Sequence, residues 1–100
     1  MLYMENNRKN VMDFLKTRLK FVRTSEQFDG TLGGIWVSAE NCETLDGLDI
    51  FDYYAESSLY EIGVLNKFVK ELDKLGWYCE YYDPGTVMIW CETYNGWEED

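Results

Sequence analysis

Histidine is absent from the 100 residues, and proline occurs once, at Pro84. The side chain most often used as general acid–base and as zinc ligand is therefore missing. Three cysteines, Cys42, Cys79 and Cys91, show no C-x-x-C spacing and are an odd number for a disulfide framework. They are expected to be reduced thiols in apolar surroundings; a Cys79–Cys91 bond across a hairpin is the competing arrangement. No apolar run approaches the length of a bilayer span. Met1-Leu2-Tyr3-Met4 passes directly into Glu5-Asn6-Asn7-Arg8-Lys9-Asn10, so no signal segment or membrane partner is expected. These absences predict a cytoplasmic protein. The phosphate-loop and nucleophile-elbow patterns G-x-x-x-x-G-K-[ST], G-x-G-x-x-G and G-x-S-x-G are also missing.

Bases are scarce. Nineteen acids face nine bases, for a net charge of −10. Residues 1–24 hold six bases against two acids, whereas residues 25–100 hold three bases against seventeen acids. Between Arg23 and Lys67 there are nine acids and no base. Such a field repels nucleic acid and acidic membranes and attracts basic protein surfaces. The plain alternative is that the charge serves solubility alone.

Apolar residues make up 46% of the chain, enough for one packed domain over residues 1–100, with a frayed tail at about 95–100. Val11, Phe14, Leu15, Leu19 and Val22 recur at helical spacing, with Asn6 or Asn7 placed to cap. Thr24-Ser25, Asp29-Gly30 and Gly33-Gly34 then mark a flexible loop. Alternation predicts a strand over Gly34 to Glu40. Residues 45–55 fit either a helical stripe (Leu45, Leu48, Phe51, Ala55) or a strand. The density of Ile50, Phe51, Tyr53 and Tyr54 favours a strand from Leu48 to Tyr54, paired with the preceding one. Ser58 and Glu61 have capping-box spacing ahead of Val64, Leu65, Phe68, Leu72 and Leu75, and Gly76 suits the helix end. Asp83-Pro84-Gly85 separates two strand-like runs, Trp77 to Tyr82 and Thr86 to Glu92, and predicts a hairpin with Gly85 at positive φ. The expected fold is α+β in the order α-β-β-α-β-β, a four-stranded antiparallel sheet with two helices on one face.

No catalytic residue and no cofactor is assigned. Asp46, Asp49, Asp52 and Glu56 could meet a hard cation, but they lack the EF-hand pattern. The four tryptophans, eight tyrosines and five phenylalanines exceed what a core of this size needs. Aromatics on a solvated sheet face either tile the sheet or serve as binding anchors. Acids on a rigid surface can stand in for nucleic-acid phosphates and cover the basic channel of a nucleic-acid enzyme. In size, charge and composition the chain is similar to small acidic phage inhibitors of the anti-CRISPR and anti-restriction kind, and to bacterial immunity proteins. The leading expectation is a stoichiometric inhibitor that binds a basic surface of a nucleic-acid-processing enzyme. Candidate contributors are Glu40, Glu43, Asp46, Asp49, Asp52 and Glu56, with Tyr53, Tyr54, Tyr82 and Trp90 as anchors. The alternatives are an immunity protein against a nuclease toxin, a small-molecule module with an aromatic pocket, and an enzyme of unknown class.

Overall fold

Asn7 opens the first helix, its side chain accepting the Asn10 N–H at 3.0 Å. The structure, a computed structural model, describes residues 7–41 and 43–91. Asn6, Cys42, Glu92 and the tail from Asn95 lie outside the described residues.

Helix α1 (Arg8–Leu15) buries Val11 and Leu15 completely. The apolar stripe predicted a helix that continues through Val22, and here the structure differs. Thr17 Oγ1 donates to the Phe14 carbonyl at 2.6 Å, and the chain tightens into a turn. Leu19 stays buried, but Val22 enters a strand, β1 (Val22–Thr24). β1 runs antiparallel to β2 (Ile35–Ser38), with Val22 opposite Val37 and Thr24 opposite Ile35. Two β-branched residues facing two more on a half-buried sheet outweigh a modest helical preference.

The expected loop after Thr24 contains a short helix, α2 (Ser25–Asp29). Thr24 and Gln27 form a capping box: Thr24 Oγ1 accepts the Gln27 N–H at 3.3 Å, and Gln27 Oε1 accepts the Thr24 N–H at 3.1 Å. Arg8, almost fully buried, ties α1 to this segment. Its Nη1 donates to Glu26 Oε1 at 2.6 Å and to the Gly34 carbonyl at 3.0 Å. Burial alone would raise the Glu26 carboxyl; the hydrogen bonds from Arg8 and the Gly33 N–H prevail and hold it below its ordinary value.

The expected strand from Leu48 to Tyr54 does not form, and β2 does not pair with this region. Instead β3 (Thr44–Leu45) and β4 (Leu48–Asp49) make a minimal hairpin around Asp46 and Gly47, with φ of 55° and 83°. Positive φ at both central residues closes a tight turn at once and leaves the long strand no register. The Ser58–Glu61 capping box is also replaced. β5 (Tyr60–Glu61) and β6 (Val64–Leu65) form a second minimal hairpin around Ile62 and Gly63, at φ 50° and 78°. Helix α3 (Asn66–Leu75) follows without a side-chain N-cap and ends at Gly76, as expected.

The C-terminal hairpin is present as β7 (Tyr78–Asp83) and β8 (Thr86–Trp90). Gly85, however, is not at positive φ. The tip is held by Asp83 Oδ1, which accepts the Gly85 N–H at 3.0 Å, and a bulge between Tyr81 and Asp83 adjusts the strand.

The chain is thus α+β, with one four-stranded antiparallel sheet in the order β1-β2-β8-β7. Ile35, Val37, Val87 and Ile89 share one sheet face and pack with Val11 and Leu15 of α1 and Phe68 and Leu72 of α3. Ile50, Leu65 and Trp77 complete that core. The reverse face carries Trp36 and Met88, and α2 brings Phe28 onto it, 5.0 Å from the Trp36 ring. Among the described residues, no helix is long and apolar enough to cross a membrane.

Candidate functional site

A cleft of about 670 Å3 lies beside the edge strand β7. Its walls are residues 78–81 of β7, the turn of the β5–β6 hairpin, Val69 and Asp73 of α3, and Tyr53 and Ala55 from the loop after Phe51. The minimal hairpin makes this wall. Because Ile62 and Gly63 turn at positive φ, Gly63 sits tightly against Tyr81. A Cβ there would lie 3.0 Å from the Tyr81 ring, 3.1 Å from Tyr53 Cα and 3.2 Å from the Asp52 carbonyl. Tyr81 Oη donates to the Gly63 carbonyl at 2.6 Å, which fixes its ring. Tyr53 stacks edge-on against Tyr81 at 4.9 Å, and Tyr54 against Tyr53 at 5.1 Å. Ile62, a β-branched residue at φ 50°, is 89% exposed at the cleft mouth.

The charge of the cleft has one sign. Glu61, Asp73 and Glu80 line it and, among the described residues, no lysine or arginine does. Burial pushes the Cys79 thiol up to about 12, so it stays protonated at neutral pH and is a poor nucleophile. Burial above all, then Cys79 and Asp52, raises the Tyr81 hydroxyl well above its ordinary value. What remains for chemistry is a set of carboxylate acceptors beside tyrosine faces. That combination suits ammonium or guanidinium groups, through charge-assisted hydrogen bonds and cation–π contact. Among the described residues, no three acids or thiols converge as metal ligands.

The expected site residues fall into four groups. Asp49, Asp52 and Glu56 are exposed, and Asp49 and Asp52 flank Tyr60. The Tyr60 hydroxyl, raised by burial and then by these two acids, donates to the Asp49 carbonyl at 2.7 Å. Tyr53 and Tyr54 adjoin this group, with Tyr53 at the cleft wall. Two of the acids are used internally: Glu43 accepts the Lys20 N–H at 2.8 Å, and Asp46 pairs with Lys67. Glu40 sits beside Gly85 and lines a smaller cleft of about 240 Å3 with Phe21 and Trp36.

Tyr82 and Trp90 belong to the reverse side. Tyr82 packs edge-on against Phe28 at 4.9 Å. Trp90 lies over Gly34, which leaves no room for a Cβ, and donates Nε1–H to Glu80 at 3.1 Å. The four expected anchors therefore form two groups on opposite sides of the sheet. Reading the sequence missed Glu61, Asp73, Glu80 and Ile62 as cleft residues. Glu61 and Ile62 had a signal, the glycine after Ile62 in a Tyr-Glu-Ile-Gly-Val-Leu run; Asp73 had none. The chain matches no family model, no curated protein and no solved structure.

Proposed function

We propose that this protein is an acidic binding protein for a basic protein surface, acting as a stoichiometric inhibitor of a nucleic-acid-processing enzyme. The observation that carries this reading is uncompensated charge beside aromatic surface. Among the described residues, Asp49, Asp52, Glu56, Glu61, Asp73 and Glu80 have no ion-pair partner. Exposed Tyr53 and Tyr54 stand among the first of these acids, and Tyr53 and Tyr81 line the cleft that holds the others. Unpaired acids repel one another and weaken a fold, whereas a basic partner relieves that repulsion and buries the tyrosines. A test is capture of partners from native cells at low salt, followed by release at high salt. The released partner should bind nucleic acid and lose it when one equivalent of this protein is added. A partner that keeps its nucleic acid, or that salt does not release, contradicts the proposal.

A second reading, a module for a small organic cation, has the cleft in its favour, since about 670 Å3 is within the usual range for ligand sites. Under that reading, tetraalkylammonium or alkylguanidinium ions should shift the NMR signals of Tyr53, Tyr78 and Tyr81 at saturable, submillimolar concentrations. Under the protein-partner reading they should not.

A further inference from the structure

We infer that the partner segment seated in the cleft is an extended strand that adds to β7, carrying basic side chains in alternation with apolar ones. The inference rests on the acidic-binding reading and gives it a structural mode. The open sheet edge carries it, and the acids choose the charge of the occupant.

The two edges of the sheet differ. β1 has three residues, and its Val22 carbonyl already accepts from Arg23 Nη1 at 3.1 Å. β7 has six residues and, among the described residues, pairs only with β8. No other main-chain hydrogen bond among the described residues reaches residues 78–83. Native proteins commonly guard such an edge with lysine, proline or a covering element. β7 has no lysine or proline within it, and its bulge lies at the far end, between Tyr81 and Asp83. The open edge faces a cleft instead of a packed wall. A chain segment laid there would gain ladder hydrogen bonds from β7 and side-chain contacts from the cleft, the two components of recognition by strand addition.

The alternation of the sheet defines the occupant. On the side shared with Cys79 and Tyr81, an added strand meets Tyr53, Ile62, Val64 and Val69, which suit apolar side chains. On the side shared with Tyr78 it meets Glu80, while Glu61 adjoins Ile62 at the cleft wall and Asp73 stands one turn along α3 from Val69. Three carboxylates and, among the described residues, no base line the cleft, which calls for lysine or arginine in the added strand. A second copy of this chain is the poorer occupant, because its net charge is also −10.

The test uses the whole protein and a synthetic peptide of about seven residues in which arginine alternates with valine, the length of an ordinary strand. Two derivatives are N-methylated at every second residue, one in each frame, which removes ladder hydrogen bonds and keeps the charge. Affinity is read by fluorescence anisotropy and main-chain pairing by amide hydrogen exchange. The parent peptide should bind and slow exchange within residues 78–83. At about 1 kcal/mol per hydrogen bond, loss of two or more should make the methylated derivative that blocks the paired edge at least about tenfold weaker. Glu61→Gln with Asp73→Asn should weaken the parent peptide while the far-side variant Lys9→Gln does not. Equal affinity of the parent and both methylated peptides overturns strand addition, even where salt-sensitive binding shows that the acidic surface still attracts a basic ligand. No binding at low salt, protection in the free protein of those β7 amides that point away from β8, or edge-to-edge dimers of this chain also overturn it. The acidic-binding reading is then decided separately by the partner-release experiment.

Discussion

Two glycines that look alike in the sequence have opposite reasons to be glycine. Gly85 follows proline at a hairpin tip, and turn chemistry predicts positive φ there, with a cost of about 1 kcal/mol or more for a side chain. The structure removes that reason, since Gly85 lies outside the left-handed region and the nearest atoms to a Cβ there belong to the movable end of Glu40. Gly63 combines φ 78° with tight contacts to the Tyr81 ring and to the backbone of Tyr53 and Asp52. Gly63→Ala should therefore destabilise the protein by about 2 kcal/mol in urea unfolding, and Gly85→Ala by less than about 1 kcal/mol. The reverse ranking would contradict the turn geometry. Cys79 supplies a pH prediction. Its thiol is raised from an ordinary 9.0 to about 12, so the folded state favours the protonated form. That contribution is complete below pH 9.0, where both states hold the proton. Above it the unfolded chain ionises first, and stability falls until the folded pKa of about 12. Tyr81 shifts in the same direction. Urea midpoints should decline above pH 9, and less steeply in Cys79→Ala; an identical decline would assign the effect elsewhere.

Elements whose pattern and punctuation agree were legible in the sequence; elements decided by distant pairing were not. The β7–β8 hairpin, the strand at Ile35–Ser38 and the body of α3 with its Gly76 stop follow from alternation, helical spacing and turn chemistry. Asp46-Gly47 was also readable as a tight hairpin turn, but the aromatic density after it suggested a longer strand. Thr24 to Gln27 carried a readable capping box hidden by the glycines that follow. Val22 was unreadable in principle: it fits the α1 stripe, and only its partner Val37 decides for a strand. The same holds for the cleft, whose acids come from β5, α3 and β7 and meet only once the chain is folded. Arg8 shows what such distant contacts are worth. It is nearly buried and bridges α1 to Glu26 in α2 and to the Gly34 carbonyl ahead of β2. Glu26→Ala removes one partner from a buried cation and the acceptor of the Gly33 N–H. It should cost about 2 kcal/mol in urea unfolding. A loss below about 0.5 kcal/mol, typical of exposed pairs, would contradict the buried role of that bridge.

At the scale of the whole molecule, the distribution of charge sets the terms of association. Net charge of −10 sits mostly in residues 25–100, and the structure sorts those acids into used and unused ones. Glu43 and Asp46 serve the fold, so replacing Asp46 would test an exposed ion pair with Lys67 as much as any partner. Asp49, Asp52 and Glu56 are the cleaner probes, since all three are exposed and have no ion-pair partner among the described residues. A field made by such groups reaches only about 8 Å at physiological ionic strength, so its effect on encounter depends steeply on salt. The most direct measurement is the association rate of the salt-released partner against ionic strength, for the parent and for Asp49→Asn, Asp52→Asn, Glu56→Gln combined. The parent rate should fall steeply with added salt, and the variant should associate about tenfold more slowly at low salt with its fold intact. The two curves should converge at high salt. A variant as fast as the parent at low salt would contradict electrostatic recognition and leave the charge a role in solubility alone.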